Sequence, residues 1–291
     1  MTTPQTPAQN IPLIIDPLNF RVTLIDAFSR GQAPHPSKCH SASGFFYRQN
    51  EEKYLVTNRH VVVSESDEIY PDILRIMVHT STTSLIPRRI IDIPLYNEPN
   101  QVWIEHPDNN GITNPKEKID IAIIKVTDKL QNGDVLDFFT ANDIPNSNFY
   151  ISLGDSTIII GYPLAFHDTV HYLPIVRSGT IASTWRAFFC GQKHFLVDAK
   201  LHPGTSGSPV IIPSSTTRRD IKGGVGIGVF PLMLVGVNSG MYGNLDLNVI
   251  WYSWLIPEII NQPQPTGQPP APSASTPTTP TPPQNPPTTQ P

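Results

Sequence analysis

His202-Pro203-Gly204-Thr205-Ser206-Gly207-Ser208-Pro209-Val210 sets one serine between two glycines and runs through a proline into an apolar stretch. A serine that attacks carbonyl carbon needs its hydroxyl on a tight turn. The backbone N–H groups of that turn must point to where negative charge develops on the carbonyl oxygen. Gly204 and Ser206 are placed to supply such donors. By itself the segment equally describes an ordinary Gly/Ser/Pro turn of a β protein. A reactive serine also needs a base, and the base needs an orienting carboxylate. Thr57-Asn58-Arg59-His60-Val61-Val62 puts a histidine just after the apolar run Tyr54 to Val56, and Asp120 opens the run Asp120-Ile121-Ala122-Ile123-Ile124-Lys125-Val126. Alone, the first is a strand-end histidine and the second a solvated aspartate. Together, His60, Asp120 and Ser206 follow one another in that order, separated by 60 and 86 residues. That is a chain order in which a base, its orienter and a nucleophilic serine are known to assemble.

The surrounding text consists of short β-branched and apolar runs between turn residues. These are Val22 to Phe28, Gly44 to Tyr47, Tyr54 to Thr57, Ile73 to His79, Ile121 to Val126, Ile158 to Gly161, Gly179 to Ser183, His194 to Ala199, Val210 to Ile212 and Leu232 to Asn238. Many short strands with irregular connections predict an all-β sandwich or barrel. Helical spacing is confined to Leu245 to Ile260, where Ile250, Trp251, Trp254, Leu255 and Ile259 recur every three or four residues and Pro257 bends or ends the helix. The 31 residues from Asn261 to Pro291 hold 12 of the 32 prolines, with no charged and no large apolar side chain. Such a segment cannot bury a core and is expected to be a disordered, Pro-rich tail. The expected division is a flexible arm over 1–15, a first β-barrel over 16–145 carrying His60 and Asp120, a second over 146–260 carrying Ser206 and the C-terminal helix, and the tail over 261–291. About 240 structured residues suit two small barrels better than one sandwich.

TNRHVV, DIAIIKV and HPGTSGSPV resemble the histidine, aspartate and nucleophile motifs of trypsin-like serine peptidases with the chymotrypsin fold. The resemblance runs from about Val22 to Ile260 and is closest to bacterial HtrA-like and V8-like domains. Ser43 to Tyr47 followed by Tyr54 to Asn58 resembles the strand pair leading to their histidine. Val176 to Ile181 resembles the strand before the nucleophile loop, and Leu234 to Asn238, with Val237 and Asn238 at its end, the strand that lines the substrate cleft. The resemblance implies two antiparallel six-stranded barrels with the site between them. It further implies a serine endopeptidase in which Ser206 attacks, His60 carries the proton, Asp120 orients the imidazole and the Gly204 and Ser206 N–H groups form the oxyanion hole. No cofactor and no metal are implied.

Two departures bear on activation and specificity. Thr205 stands where digestive relatives carry an aspartate that pairs with a newly cut amino terminus, and no Ile-Val-Gly-Gly-like start exists, which argues against activation by amino-terminal insertion. Ser208 replaces a glycine, as in the V8-like variant, where a glutamyl preference is conceivable by analogy. The residue six before the nucleophile is Lys200, whose cation at the pocket base would favour acidic side chains. A one-residue gap would instead place Leu201 or Ala199 there and make the pocket apolar.

Twenty Lys and Arg against 24 Asp and Glu give a net charge of −4 with no clustered basic face, which excludes a nucleic-acid partner on electrostatic grounds. The amino terminus has no basic n-region or long apolar h-region, and no apolar run reaches the length of a membrane span, so no membrane partner and a cytoplasmic location are expected. Cys39 and Cys190 are read as reduced thiols, Cys190 as a buried one. His167 and His171 flank an extended segment, too far apart for one metal ion. Gly223 to Gly228 reads as a flexible hairpin over the second barrel. The expected partner is a protein or peptide substrate, with Pro280 to Pro283 a possible docking segment for a partner of the tail. The competing reading is a catalytically weak or silent protease-fold module that binds or scaffolds peptides.

Overall fold

A computed structural model describes residues 14–29, 36–97, 100–147, 149–220 and 224–262. Most of the expected arm and nearly all of the expected tail lie outside the described residues.

The amino-terminal half comprises β1 (Val22–Ser29), β2 (Ser37–Gln49), β3 (Glu52–Thr57), the single-turn helix α1 (Arg59–Val62), β4 (Ile73–His79), β5 (Arg88–Pro94), the small hairpin β6 (Tyr96–Asn97) with β7 (Asn100–Gln101), β8 (Trp103–Glu105) and β9 (Ala122–Lys125). Alternation drives it: Leu74, Ile76 and Val78 point inward from β4 while Arg75 between them is exposed. Seven of these strands form one antiparallel sheet in the order β5-β4-β1-β2-β3-β9-β8. This corrects the first expected six-stranded barrel, because the ladder does not close. β5 ends on Pro94, which has no N–H, and β8 is only three residues long. At one corner the Val102 N–H to Leu95 carbonyl bond, 2.9 Å, joins the segments that follow β5 and precede β8.

The second half holds β10 (Ser156–Gly161), β11 (Ile175–Ile181), β12 (His194–Asp198), β13 (Pro209–Ile212), the hairpin β14 (Ser215–Arg219) with β15 (Val225–Phe230), β16 (Met233–Met241), β17 (Leu247–Tyr252) and α2 (Leu255–Asn261). Six of these strands close a barrel in the order β10-β11-β12-β17-β16-β13, with β13 returning to pair with β10 through Ile158 opposite Ile211. The fold is mostly β with one closed six-stranded barrel.

The helix expected over Leu245 to Ile260 is mostly strand. Leu247 to Trp251 pairs with His194 to Asp198 residue for residue. The β-branched and aromatic run Val249-Ile250-Trp251-Tyr252 satisfies the pleat as well as a helical stripe does, and the ladder to β12 decides between them. Only Leu255–Asn261 is helical, and Pro257 sits in its first turn, where a missing N–H costs nothing. Of the hairpin expected over Gly223 to Gly228, Val225 to Gly228 begin β15, paired with β14, and Gly223 lies outside the described residues; the expected extended segment around His167 and His171 is a turn closed by Tyr172 N–H to Asp168 carbonyl, 2.6 Å.

The halves share a core. One cluster runs from Val22, Phe45, Val56 and Ile121 of the sheet into Val197, Val210, Val235 and Ile250 of the barrel and on to Leu255, Ile256 and Ile259 of α2. Burying each such side chain contributes about 1.5–3 kcal/mol, so this continuity holds the two halves in register across the cleft. Polar ties reinforce it: Gln49 Nε2 donates to Asn261 Oδ1 at 2.6 Å, and His106 Nε2 lies 3.3 Å from Glu258 Oε2.

Candidate active site

Thr57 ends β3, Asn58 caps α1, and His60 stands on that single helical turn. The buried Asn58 amide donates to the Asp120 carbonyl at 2.7 Å, fixing the start of the helix to the approach of β9. The Asp120 carboxylate then collects three donors. The His60 backbone N–H reaches Oδ1 at 2.8 Å, while His60 Nδ1 at 2.7 Å and the Ser239 hydroxyl at 2.5 Å both meet Oδ2. A carboxylate can only accept, so Nδ1 carries the imidazole proton and Nε2 is left with its lone pair. Burial of Asp120 works against its charge, but His60 and the hydrogen bonds outweigh it and hold the carboxyl below its ordinary range. Burial likewise disfavours charging His60, yet the Asp120 carboxylate prevails and raises the imidazole pKa above 6.5.

Ser206 lies on the turn 202–208, which is pinned from several sides. Thr205 N–H and hydroxyl both return to the His202 carbonyl, at 3.2 and 2.8 Å, and Ser208 N–H bonds the Thr205 carbonyl at 3.0 Å. Gly204 has φ +93° and Gly207 φ +81°; a Cβ on Gly204 would stand 2.6 Å from the Tyr162 carbonyl and one on Gly207 2.1 Å from that of Ser43. The Gly204 and Ser206 N–H groups have no hydrogen-bond partner among the described residues. Ser43, fully buried on β2, ties the halves together at this turn. Its N–H donates to the Ser206 carbonyl at 2.8 Å, and its hydroxyl donates to the Gly204 carbonyl at 2.8 Å and accepts from Tyr162 N–H at 2.9 Å. The Ser206 hydroxyl donates to the Ser239 carbonyl at 3.1 Å, and among the described residues no hydrogen bond joins it to His60.

Residues 42–215 match the family of trypsin-like peptidase domains. The chain belongs to that family. A search of curated proteins finds no match.

Within this trypsin-like domain, a cleft of about 510 Å³ runs past His60, Asp120 and Ser239 to Tyr242, His194 and Trp251. None of the residues expected to set specificity lines it. Lys200 is exposed, Ala199 and Leu201 are buried, Val237 is core, and the Asn238 amide supports the turn by donating to the Thr205 carbonyl at 2.9 Å. Thr205 is thus held by its own hydroxyl and by Asn238, with no charged amino terminus required. Ser239 is absent from the sequence reading although it follows Asn238 directly. Its signal is only a serine one residue beyond an apolar strand. Both cysteines are free; Cys190, expected buried, is exposed on the cleft because the turn 188–191 lifts it off the barrel. His167 Nδ1 faces the Ala165 carbonyl and His171 Nδ1 the Asp168 carboxylate, at 2.7 and 2.6 Å. Among the described residues no group of three potential metal ligands occurs, and no helix is long and apolar enough to cross a membrane.

Behind His60, Arg59 is buried against two carboxylates. It makes a bidentate pair with Glu65 at 2.6 Å and bonds Glu105 at 2.6 Å, while Lys118 reaches Glu65 at 3.0 Å. Chiefly through the Arg59 hydrogen bond, the Glu65 carboxyl is lowered to about 2. The network ties α1, and with it His60, to Glu65 and Glu105.

Proposed function

We propose that the chain is a serine endopeptidase whose nucleophile is Ser206, with His60 as general base and Asp120 as its orienter. The observation that carries the reading is the His60 imidazole held through Nδ1 by Asp120, in one domain with a serine on a turn whose Gly204 and Ser206 N–H groups have no partner among the described residues. In this reading the Ser206 hydroxyl leaves the Ser239 carbonyl by a side-chain rotation and gives its proton to His60 Nε2 as Oγ bonds the scissile carbonyl carbon. Negative charge on the carbonyl oxygen falls to the Gly204 and Ser206 N–H groups, whose individual loss costs about 3–4 kcal/mol in such sites. The imidazolium, stabilised by Asp120, protonates the leaving amine as the C–N bond breaks. Water then attacks the acyl ester by the same route and regenerates Ser206. The substrate is a protein or peptide.

The bond from Ser206 to Ser239 supports a second reading, a silent peptide-binding module in which the hydroxyl stays turned from the base. Turnover of a peptide library separates the two. The endopeptidase reading expects internal cleavage by the parent protein and none by Ser206→Ala; equal cleavage by both, or none by the parent, overturns it.

A further inference from the structure

The floor of the cleft holds buried polar atoms without partners. His194 opens β12 at 5% exposure and Trp251 faces it across the ladder from β17 at 4%. Both line the same cleft as His60. Their rings meet edge to face with centroids 5.2 Å apart, and Phe189 closes the other side of the imidazole at 6.0 Å. Among the described residues neither His194 Nδ1 nor Nε2 nor the Trp251 indole N–H has a hydrogen-bond partner. Leaving such groups unpaired in a buried site costs about 1–3 kcal/mol each, so a ligand that accepts from them recovers free energy the free protein forgoes.

We propose that His194 and Trp251 form a subsite that binds a carboxylate side chain of the substrate, Glu or Asp, through the indole N–H and an imidazole N–H. The indole is an obligate donor and either form of the imidazole offers at least one, so the site calls for an acceptor. The charges around the cleft select an anion. Its two carboxylates are both engaged, Glu65 by Arg59 and Lys118, Asp120 by His60 and Ser239, whereas the Lys116 ammonium makes no ion pair among the described residues. Burial alone lowers the His194 pKa to about 4, so the imidazole waits neutral, and a bound carboxylate is the partner that would restore its charge.

Phe189, packed against the His194 ring, belongs to a segment whose backbone is strained. Arg186, Phe188 and Cys190 all hold left-handed φ of 63°, 47° and 54°, a conformation costing non-glycine residues on the order of 1 kcal/mol or more each. Cys190 and Gln192 of this segment line the cleft. Entry of the carboxylate is therefore coupled to movement of 186–192.

The subsite rests on the endopeptidase reading for its consequence, but its occupancy can be measured without catalysis. Peptides carrying Glu or Gln are walked through each position and compared by kcat/KM in the parent, His194→Phe and Trp251→Phe. The parent should prefer Glu at one position by about tenfold, and both variants should bring that ratio near one. Equal turnover of Glu and Gln peptides by the parent overturns the subsite while leaving the peptidase intact. If nothing is hydrolysed, the peptidase reading fails and NMR titration of His194 in Ser206→Ala decides the subsite. A Glu peptide that raises the midpoint from about 4, where its Gln counterpart does not, upholds it; no response overturns it.

Discussion

Replacing Ser43 by Ala removes one hydroxyl that serves both halves of the molecule. That oxygen accepts from Tyr162 N–H at 2.9 Å and donates to the Gly204 carbonyl at 2.8 Å, and the residue is fully buried. The substitution leaves one donor and one acceptor unpaired, each worth about 1–3 kcal/mol, with a cavity too small to hold water well. We expect a loss of about 3 kcal/mol in urea unfolding and, at about 2–4 °C per kcal/mol for a domain of this size, a Tm lower by about 6–12 °C. The carbonyl of Gly204, the residue whose N–H is offered to the substrate, is also released, so kcat should fall more than KM rises. Thr57, whose hydroxyl donates to the Ser43 carbonyl at 2.8 Å, offers a control: Thr57→Val removes a neighbouring bond without touching Gly204 and should lower stability with a smaller effect on kcat. A Ser43→Ala protein within 0.5 kcal/mol of the parent, as error bounds on surface substitutions run, and with unaltered kcat would refute the reasoning.

Three further outcomes follow from the same geometry. His60 must be neutral to accept a proton and its pKa is raised, so kcat/KM should climb with pH through a midpoint above 6.5; Asp120→Asn should cut the rate about 10⁴-fold and move that midpoint down. Gly204→Ala, which forces a Cβ to 2.6 Å from the Tyr162 carbonyl at φ +93°, should lower kcat by about 10²–10³-fold with native-like circular dichroism. Glu65 is held at about 2 against an ordinary 4.5, so its contribution to stability is present above pH 4.5 and is lost as pH falls toward 2; Arg59→Gln should cost about 3 kcal/mol at pH 7, with the gap to the parent narrowing over that acid range.

The parts of the site that are legible in the sequence are those carried by local chemistry. A histidine after an apolar strand, an aspartate before one and a serine between glycines are each visible in six to nine letters, and the fold brings His60 and Asp120 into contact. What escapes is carried by pairing. Ser239 matters because β16 delivers its hydroxyl to a carboxylate 119 residues away, and Ser43 because β2 meets a turn 161 residues away. The closed barrel was legible as many short strands, but whether the first sheet closes depends on how β5 and β8 end, which alternation does not encode. The misread helix over Leu245 to Ile260 has the same origin, since Ile250, Trp251 and Trp254 fit both periods and only the partner strand β12 chooses. His194 and Trp251 read as ordinary strand residues until their unpaired nitrogens are seen in the cleft.

The central claim is an activated Ser206, and intact-mass spectrometry after exposure to a fluorophosphonate probe tests it most directly. A single adduct on the parent chain, none on Ser206→Ala and a strongly slowed reaction in His60→Ala is the predicted result. An unmodified parent, or an adduct that persists in Ser206→Ala, would contradict it.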